Sequence, residues 1–486
     1  MRGNKVLKKG DILRLILAAL LAVATPVVAQ EGDGATEEGG PSSVPEVTVL
    51  DVESAIARAL ESNLGIQSRQ IDVAQNQLVR DSWWNRFYPQ VSARASLGRM
   101  NKEQSTSGVL PAGTPNPDGT FDQVEPFSEE RPRWSLSTAV EMDLTLTPAL
   151  APGITLAGID LGLSRVELED QVARVERDVQ KQFYELLVSE ARLGVTRDRI
   201  RTAERRLEQT QLNYEAGLVD EFTLLSARVN LANLRPQLAQ EENGFQSQMM
   251  SFKSQIGADL DDQIRLTGSI EPPEGVDMLE SSIGTIDDSM LLGRYDIRQL
   301  QQQADLIREQ RRLERYQGLP SLTFGFSVDP SFQGDPWQDD LFDPDQWAQG
   351  SGMFSISLVQ PINPWFPRSE SQNAITGFDR QLVQNRLNVD QALTGAQIEV
   401  RTLVSGIESS LESIEALELN VELAERAYEL AEQAYNNGLR ELTEVEQAEV
   451  DLQDARLQLI QEQQRVLASL FDLEYALNRS MEEFLR

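Results

Sequence analysis

The chain has 486 residues and a formal net charge of −33, from 44 lysines and arginines against 77 aspartates and glutamates. That balance argues against nucleic acid as a partner, because phosphate backbones are held by basic surfaces. Cysteine and histidine are both absent, which removes disulfides, thiolate chemistry, lipidation at an N-terminal cysteine, and imidazole as a base or metal ligand. Catalysis by carboxylates alone stays open in principle, but no residue pattern points to it, so we expect no enzyme, no metal and no cofactor.

Residues 1–29 read as a secretory signal. Arg2, Lys5, Lys8 and Lys9 form the basic start, and Ile12 to Ala24 the apolar core, interrupted by Arg14. Val27-Val28-Ala29 supplies small residues before a cut at Ala29/Gln30. The apolar run is short of the ~20 residues that a spanning helix needs, and no later segment reaches that length. Residues 30–47, rich in Gly, Glu, Ser and Pro, read as a disordered leader.

A first structural repeat is expected over 48–256. Helical spacing runs from Asp51 to about Arg86 through Ile56, Ala59, Leu60, Leu64, Ile71, Ala74 and Leu78. It should stop at Tyr88-Pro89, since the residue before proline avoids the helical region. The period then changes to two: Val91, Ala93, Ala95 and Leu97 alternate with Ser92, Arg94, Ser96 and Gly98. After a polar, Pro/Gly-rich loop, Trp134, Leu136, Val140, Met142 and Leu144 share a second alternation. This gives a β-hairpin over 90–146, closed by Pro148, Pro152 and Gly153. A helix from about Ile154 to a tip at Gly217 follows, with Val175, Val179, Phe183, Leu186 and Leu187 as its apolar stripe. Its return arm ends near Ile256, and Pro236 should kink it. Residues 257–287 read as a linker with little regular structure.

The same order returns over 288–486. Ser289 to Gln317 is helical. A β-hairpin spans 321–361, with Leu322, Phe324, Phe326 and Val328 alternating before an acidic, aromatic loop at about 329–352, and Phe354, Ile356 and Leu358 after it. Pro361, Pro364 and Pro367 mark the exit, and no proline follows from Arg368 to Arg486. Val400, Val404, Ile407, Leu411 and Ile414 are spaced 4-3-4-3, the seam of a coiled coil. Tyr435-Asn436-Asn437-Gly438-Leu439 is turn chemistry, and reads as a second helical-hairpin tip. It matches Tyr214-Glu215-Ala216-Gly217-Leu218 at a constant offset of 221, with identities at Tyr214/Tyr435, Gly217/Gly438, Leu218/Leu439, Ala227/Ala448, Val229/Val450, Leu231/Leu452 and Arg235/Arg456. One supersecondary unit is written twice.

Lengths and faces suggest a tube. The outgoing arms, 154–216 and 368–437, would be ~95–105 Å long at 1.5 Å per residue. Each return arm, 219–256 or 440–478, needs a pre-strand helix stacked on it to match that length. The strands, about 9–13 residues long, suit a bilayer-crossing barrel strand of ~9–11 residues. Trp83, Trp84, Phe87 and Tyr88 precede the first strand, Tyr316 the third, and Trp365 and Phe366 follow the fourth. All seven would lie at one end as an interfacial aromatic girdle. Four strands cannot close a barrel, and open edges are not viable in lipid; three chains would give twelve strands around a water-filled lumen. The competing reading is a soluble periplasmic coiled-coil adaptor or scaffold, which explains the hairpins but not the alternating strands.

The two tips, the strand starts Tyr88-Pro89-Gln90-Val91-Ser92 and Leu319-Pro320-Ser321-Leu322-Thr323, and the opening Val49-Leu50-Asp51-Val52-Glu53-Ser54-Ala55-Ile56 together make the chain resemble the TolC family of outer-membrane efflux proteins. The likeness covers most of the chain after the signal. It implies a mainly α fold with a transmembrane β part: a homotrimer with a 12-stranded barrel in outer-membrane lipid, continuous with a long periplasmic α-helical coiled-coil barrel, and an equatorial region at 257–287. It implies a passive exit duct of an efflux pump or type I secretion system, docked on a periplasmic adaptor and energised by an inner-membrane transporter. By position, Gly217, Leu218, Val219, Gly438 and Leu439 would take the adaptor contact. Tyr435 and Arg440 fall at the family's gate-linking positions, and Glu444, with Glu441 on the same helical face, at an acidic ring position. Gln447 and Thr223 stand where further family gate residues are expected, which departs from that pattern.

Overall fold

The computed structural model describes residues 48–99, 104–109, 126–131, 134–273, 275–276, 288–333, 343, 347–348, 352–437 and 439–480. The expected signal and leader, Gly438, and parts of the loops and linker lie outside the described residues. The elements run β1 (Thr48–Leu50), α1 (Val52–Ser62), α2 (Leu64–Ser82), a 3-10 turn (Trp83–Phe87), β2 (Gln90–Arg99), β3 (Gln104–Val109), β4 (Pro126–Arg131), β5 (Trp134–Leu146), α3 (Leu150–Glu215), α4 (Glu221–Gln255), β6 (Ile264–Leu266), α5 (Asp288–Leu291), α6 (Tyr295–Gln317), β7 (Ser321–Val328), β8 (Ser331–Gln333), β9 (Trp347–Ala348), β10 (Met353–Val359), a second 3-10 turn (Asn363–Trp365), α7 (Glu370–Asn436) and α8 (Leu442–Leu477). The described residues form two units: one within 81–154 and 312–375, the other within 48–80, 155–311 and 376–480.

In the sheet unit, β2, β5, β7 and β10 pair antiparallel in that spatial order. Directly paired residues share a face, so the register decides what each face holds. Val91, Met142, Phe326 and Phe354 form one row, and Leu144, Phe324 and Ile356 the next. Alternate rows hold Gln90, Asp143, Gly325 and Ser355, then Thr145, Thr323 and Ser357. One face of this sheet is therefore apolar and the other polar. The outer edges of β2 and β10 have no strand partner among the described residues.

Both strand-connecting loops depart from expectation. The polar loop carries a further hairpin, β3 with β4. The acidic loop contributes β8, which pairs with β5 and β9, and buries Phe332 and Trp347 with ring centroids 5.7 Å apart. None of these short strands has a clear period-two pattern, so cross-strand pairing created them. Helix α3 starts earlier than expected and contains Pro152 and Gly153 in its first turn. Proline is tolerated there because first-turn N–H groups have no partner within the helix.

In the helical unit, the expected single helix from Asp51 is broken. Asp51 and Ser54 form a capping box on α1. Asn63 then ends α1: its Oδ1 accepts from the Gly65 and Ile66 N–H groups, and its Nδ2 donates to the Gln255 carbonyl at 2.9 Å. Likewise Ser289 to Gln317 divides into α5 and α6. Between them lies buried Arg294, which donates to the Ala476 carbonyl at 3.0 Å and pairs with Asp296 and Glu399. Helix α4 runs unbroken from Glu221 to Gln255 with Pro236 inside it. The linker also holds a strand, since β6 pairs in parallel with β1. Among the described residues no helix is long and apolar enough to cross a membrane.

The core of this unit repeats the duplication. One cluster holds Val175, Val179, Leu186, Phe252 and Ile256, packed with α1 and β1. The other holds Ala396, Val400, Ile407, Leu473 and Leu477. Each pair is separated by the offset of 221 that relates the tips, although only the valines at 179 and 400 are identical. The 4-3-4-3 seam lies in the second cluster, with Val400, Ile407 and Ile414 buried and Val404 and Leu411 packed against it. Lys181 to Asp472 at 2.7 Å, Arg199 to Asp454, and the Tyr184–Phe471 ring stack bind α3 to α8. Tyr475 also donates to Asp170 at 2.8 Å; burial, then that carboxylate, pushes its phenol up to about 12.

Candidate functional site

The first tip is a closed backbone turn. Gly217 adopts φ +72, and the Leu218 N–H reaches back to the Asn213 carbonyl at 2.8 Å. The Ala216 N–H bonds the Leu212 carbonyl at 3.0 Å. These bonds satisfy carbonyls left over at the end of α3, and the left-handed residue that permits them is ordinarily glycine. The second tip makes the same bonds 221 residues on: Leu439 to Ala434 at 2.8 Å and Asn437 to Gln433 at 3.2 Å. Leu218 and Leu439 are 74% and 78% exposed, while Val219 is half-buried.

The return helices start differently. Asp220 caps α4, its Oδ1 accepting from the Thr223 N–H at 2.9 Å and the Thr223 hydroxyl at 2.5 Å. The Thr223 hydroxyl, then its N–H, holds the Asp220 carboxyl below the ordinary carboxylate range. A depressed value means the cap's contribution is present above the ordinary carboxylate pKa and is lost as pH falls through the lowered one. Glu441 occupies the corresponding position before α8 but makes no side-chain bond to the helix backbone. Its carboxylate accepts weakly from Thr443 Oγ at 3.4 Å instead.

A cavity of about 730 Å³ opens behind the tips; Arg206, Val219, Phe222, Tyr435, Glu441 and Glu446 are among its lining residues. Tyr435 and Glu441 therefore meet in one space. Arg440 and Glu444 form an ion pair one helical turn apart, which offsets the Glu444 charge within the chain. Sequence reasoning missed Asp220, Arg206 and Glu446. The Asp220 signal was legible as an N-cap residue three before Thr223. Glu446 had only a weak signal, an acid beside Val445 on the face that continues to Leu452 and Ala455.

The aromatic residues lie in the sheet unit, near the end where β2 and β7 begin and β5 and β10 finish. Trp84, Phe87, Tyr88, Trp365 and Phe366 are exposed, and Trp83 and Tyr316 are half-buried. Trp83 lies under the Arg86 guanidinium at 3.9 Å and against Gly153, where an added Cβ would come within 2.4 Å of its ring. Trp365 donates its indole N–H to the Gly318 carbonyl at 3.1 Å. Among the described residues, no group of three or more acidic residues is placed to hold a metal ion.

The sequence profile of the outer membrane efflux protein family matches residues 55–258 and 288–479. The chain belongs to this family. Both matched segments end near the close of a return helix, so the family pattern is itself written twice along the chain. The efflux protein's fold is also similar to solved outer-membrane channels. VceC from Vibrio cholerae is 16% identical with a TM-score of 0.63, covering 88% of this chain and 96% of VceC. CmeC from Campylobacter jejuni is 15% identical with a TM-score of 0.66, covering 88% of this chain and 85% of CmeC. MtrE from Neisseria gonorrhoeae is 15% identical with a TM-score of 0.60, covering 90% of each chain. No curated protein sequence matches the chain at a significant level. The chain is thus an outer membrane efflux protein with the fold of those solved channels, built from a two-faced sheet unit and a unit of long helical hairpins.

Proposed function

We propose that this efflux protein works as a homotrimeric, passive exit duct. Three copies of the four-stranded sheet close a 12-stranded barrel, and the helical hairpins extend it into the periplasm. The observation that carries this reading is the two-faced sheet with its open edges at β2 and β10. An apolar face suits lipid, a polar face suits a wet lumen, and an unpaired edge is costly in a bilayer. The aromatic cluster at one end of the strands supports an interfacial girdle.

The hairpin tips take a periplasmic adaptor through Gly217, Leu218, Val219, Gly438 and Leu439, and the adaptor links the duct to an inner-membrane transporter that supplies the energy. Leu218, Phe222, Leu225 and Val229 support this assignment, because all four are exposed and follow helical spacing down one side of the first tip. Tyr435, Arg440, Glu441 and Glu444 form the periplasmic gate, with the Arg440–Glu444 pair reducing any acidic ring. A soluble scaffold would leave the two-faced sheet without a role.

The test is the native mass of protein extracted by detergent from purified outer membranes. A particle of three chains is expected. A water-soluble particle of one or two chains overturns the duct.

A further inference from the structure

Glu446 is a buried acid of the helical unit with an orphaned oxygen. It lies one helical turn inside α8 yet is only 6% exposed. Its neighbour Val445 is buried, as are Leu452 and Ala455 further along the helix. Its Oε2 has no hydrogen-bond partner among the described residues, and the side chain lines the cavity behind the tips. Oε2 has left the bulk solvent without gaining a protein donor, which disfavours the charged form.

The groups facing it only partly compensate. From α3 come Arg206, which shares the cavity, and Arg205, which also lies 3.9 Å from Glu449 and donates to Thr202. From its own helix, Glu449 adds like charge, and Glu441 at the cap lines the same cavity. From α7 comes Tyr435, and α4 lines the cavity with neutral residues such as Thr223, Ser226 and Asn230.

We infer that Glu446 is a proton-binding site that sets how firmly the start of α8 packs against α3. A bound proton removes the buried charge and gives the orphaned oxygen a donor it can turn into the cavity. Losing that proton leaves a buried anion that relaxes by moving the first turns of α8 toward water. Burial pushes the Glu446 carboxyl above the ordinary glutamate range, against the pull of Arg206 and Arg205. A raised value means the packing is fully present below the ordinary glutamate pKa and is lost as pH rises through the raised one. The inference needs neither the trimer nor the adaptor.

The test is hydrogen exchange by mass spectrometry on the full-length protein in detergent between pH 5 and pH 8, with exchange times scaled for the intrinsic rate. Amide protection over 442–452 should fall at least about threefold as pH rises, while protection over 466–477 holds constant. Glu446→Gln should keep the acid-level protection at every pH. Arg206→Gln, which removes a charge favouring the anion, should move the midpoint to higher pH. Flat protection in the wild-type protein, or an unchanged pH response in Glu446→Gln, overturns the assignment; so does an Arg206→Gln midpoint that stays in place.

Discussion

Two glycines with left-handed backbone separate strain from crowding. Gly217, at φ +72, has open space where a Cβ would stand. Gly257, at φ +64, closes α4 against the end of α1, and a Cβ there would come within 2.4 Å of Ser62 Cβ and 3.0 Å of its carbonyl oxygen. Gly217→Ala should therefore cost only the backbone term, about 1 kcal/mol. Gly257→Ala should cost at least about 2 kcal/mol, because the Ser62 backbone cannot move aside as a flexible side chain would. Thermal melting of the two purified variants checks this. Equal losses would mean that the approach to Ser62 is loose.

For the strands, the decisive property is which face a position occupies. Phe324 lies in the apolar row between Leu144 and Ile356, and Thr323 in the polar row between Thr145 and Ser357. Phe324→Arg puts a charge on the face assigned to lipid, which costs about 2–4 kcal/mol near the bilayer centre. It should strongly reduce the assembled fraction in outer membranes, whereas Thr323→Arg should leave most of it. Equal assembly of the two would reverse or abolish the face assignment. Gly325 shares the polar face but is unsuited as a control. A Cβ there would stand 2.8 Å from Ser355 Oγ and 3.1 Å from Asp143 Oδ1, so any side chain adds crowding to charge.

Across the whole chain, duplication gives two cores built alike and packed apart. Val179 and Val400 are the matching buried positions, one in each cluster. Val179→Ala and Val400→Ala should each destabilise the extracted protein by about 2 kcal/mol. The double variant should show the sum, since sites without shared neighbours act independently. Thermal midpoints of the three proteins check this. A double variant no worse than either single one would show that one core alone limits stability. The electrostatic links between α3 and α8, such as Lys181 to Asp472, join the halves but are half-exposed, and each contributes little by itself.

Local chemistry made most of this fold legible. Val91 to Leu97 and Leu322 to Val328 alternate because one face of each strand is apolar, and Val400 to Ile414 step by 4-3-4-3 because one stripe of a helix is buried. Gly217 and Asn437-Gly438 announce a tip because few residues tolerate a left-handed turn. Residue identity marked the duplication around the tips and into the return arms; in the core, Val175 corresponds to Ala396 and Phe252 to Leu473, so matching burial replaces identity. Contacts between distant segments left no such trace. Thr48–Leu50 and Ile264–Leu266 are too short to show a period, and only their parallel pairing makes them strands. Asn63 divides a continuous helical pattern because its side chain has the Gln255 carbonyl to bind. At the candidate site, the sequence by itself placed Tyr435, Arg440, Glu441 and Glu444 near a turn. Tertiary structure decided that Tyr435 and Glu441 line one cavity and that Glu446 is buried beside it. Burial depends on what the other hairpin brings alongside, and helical spacing on one segment carries no record of its neighbour.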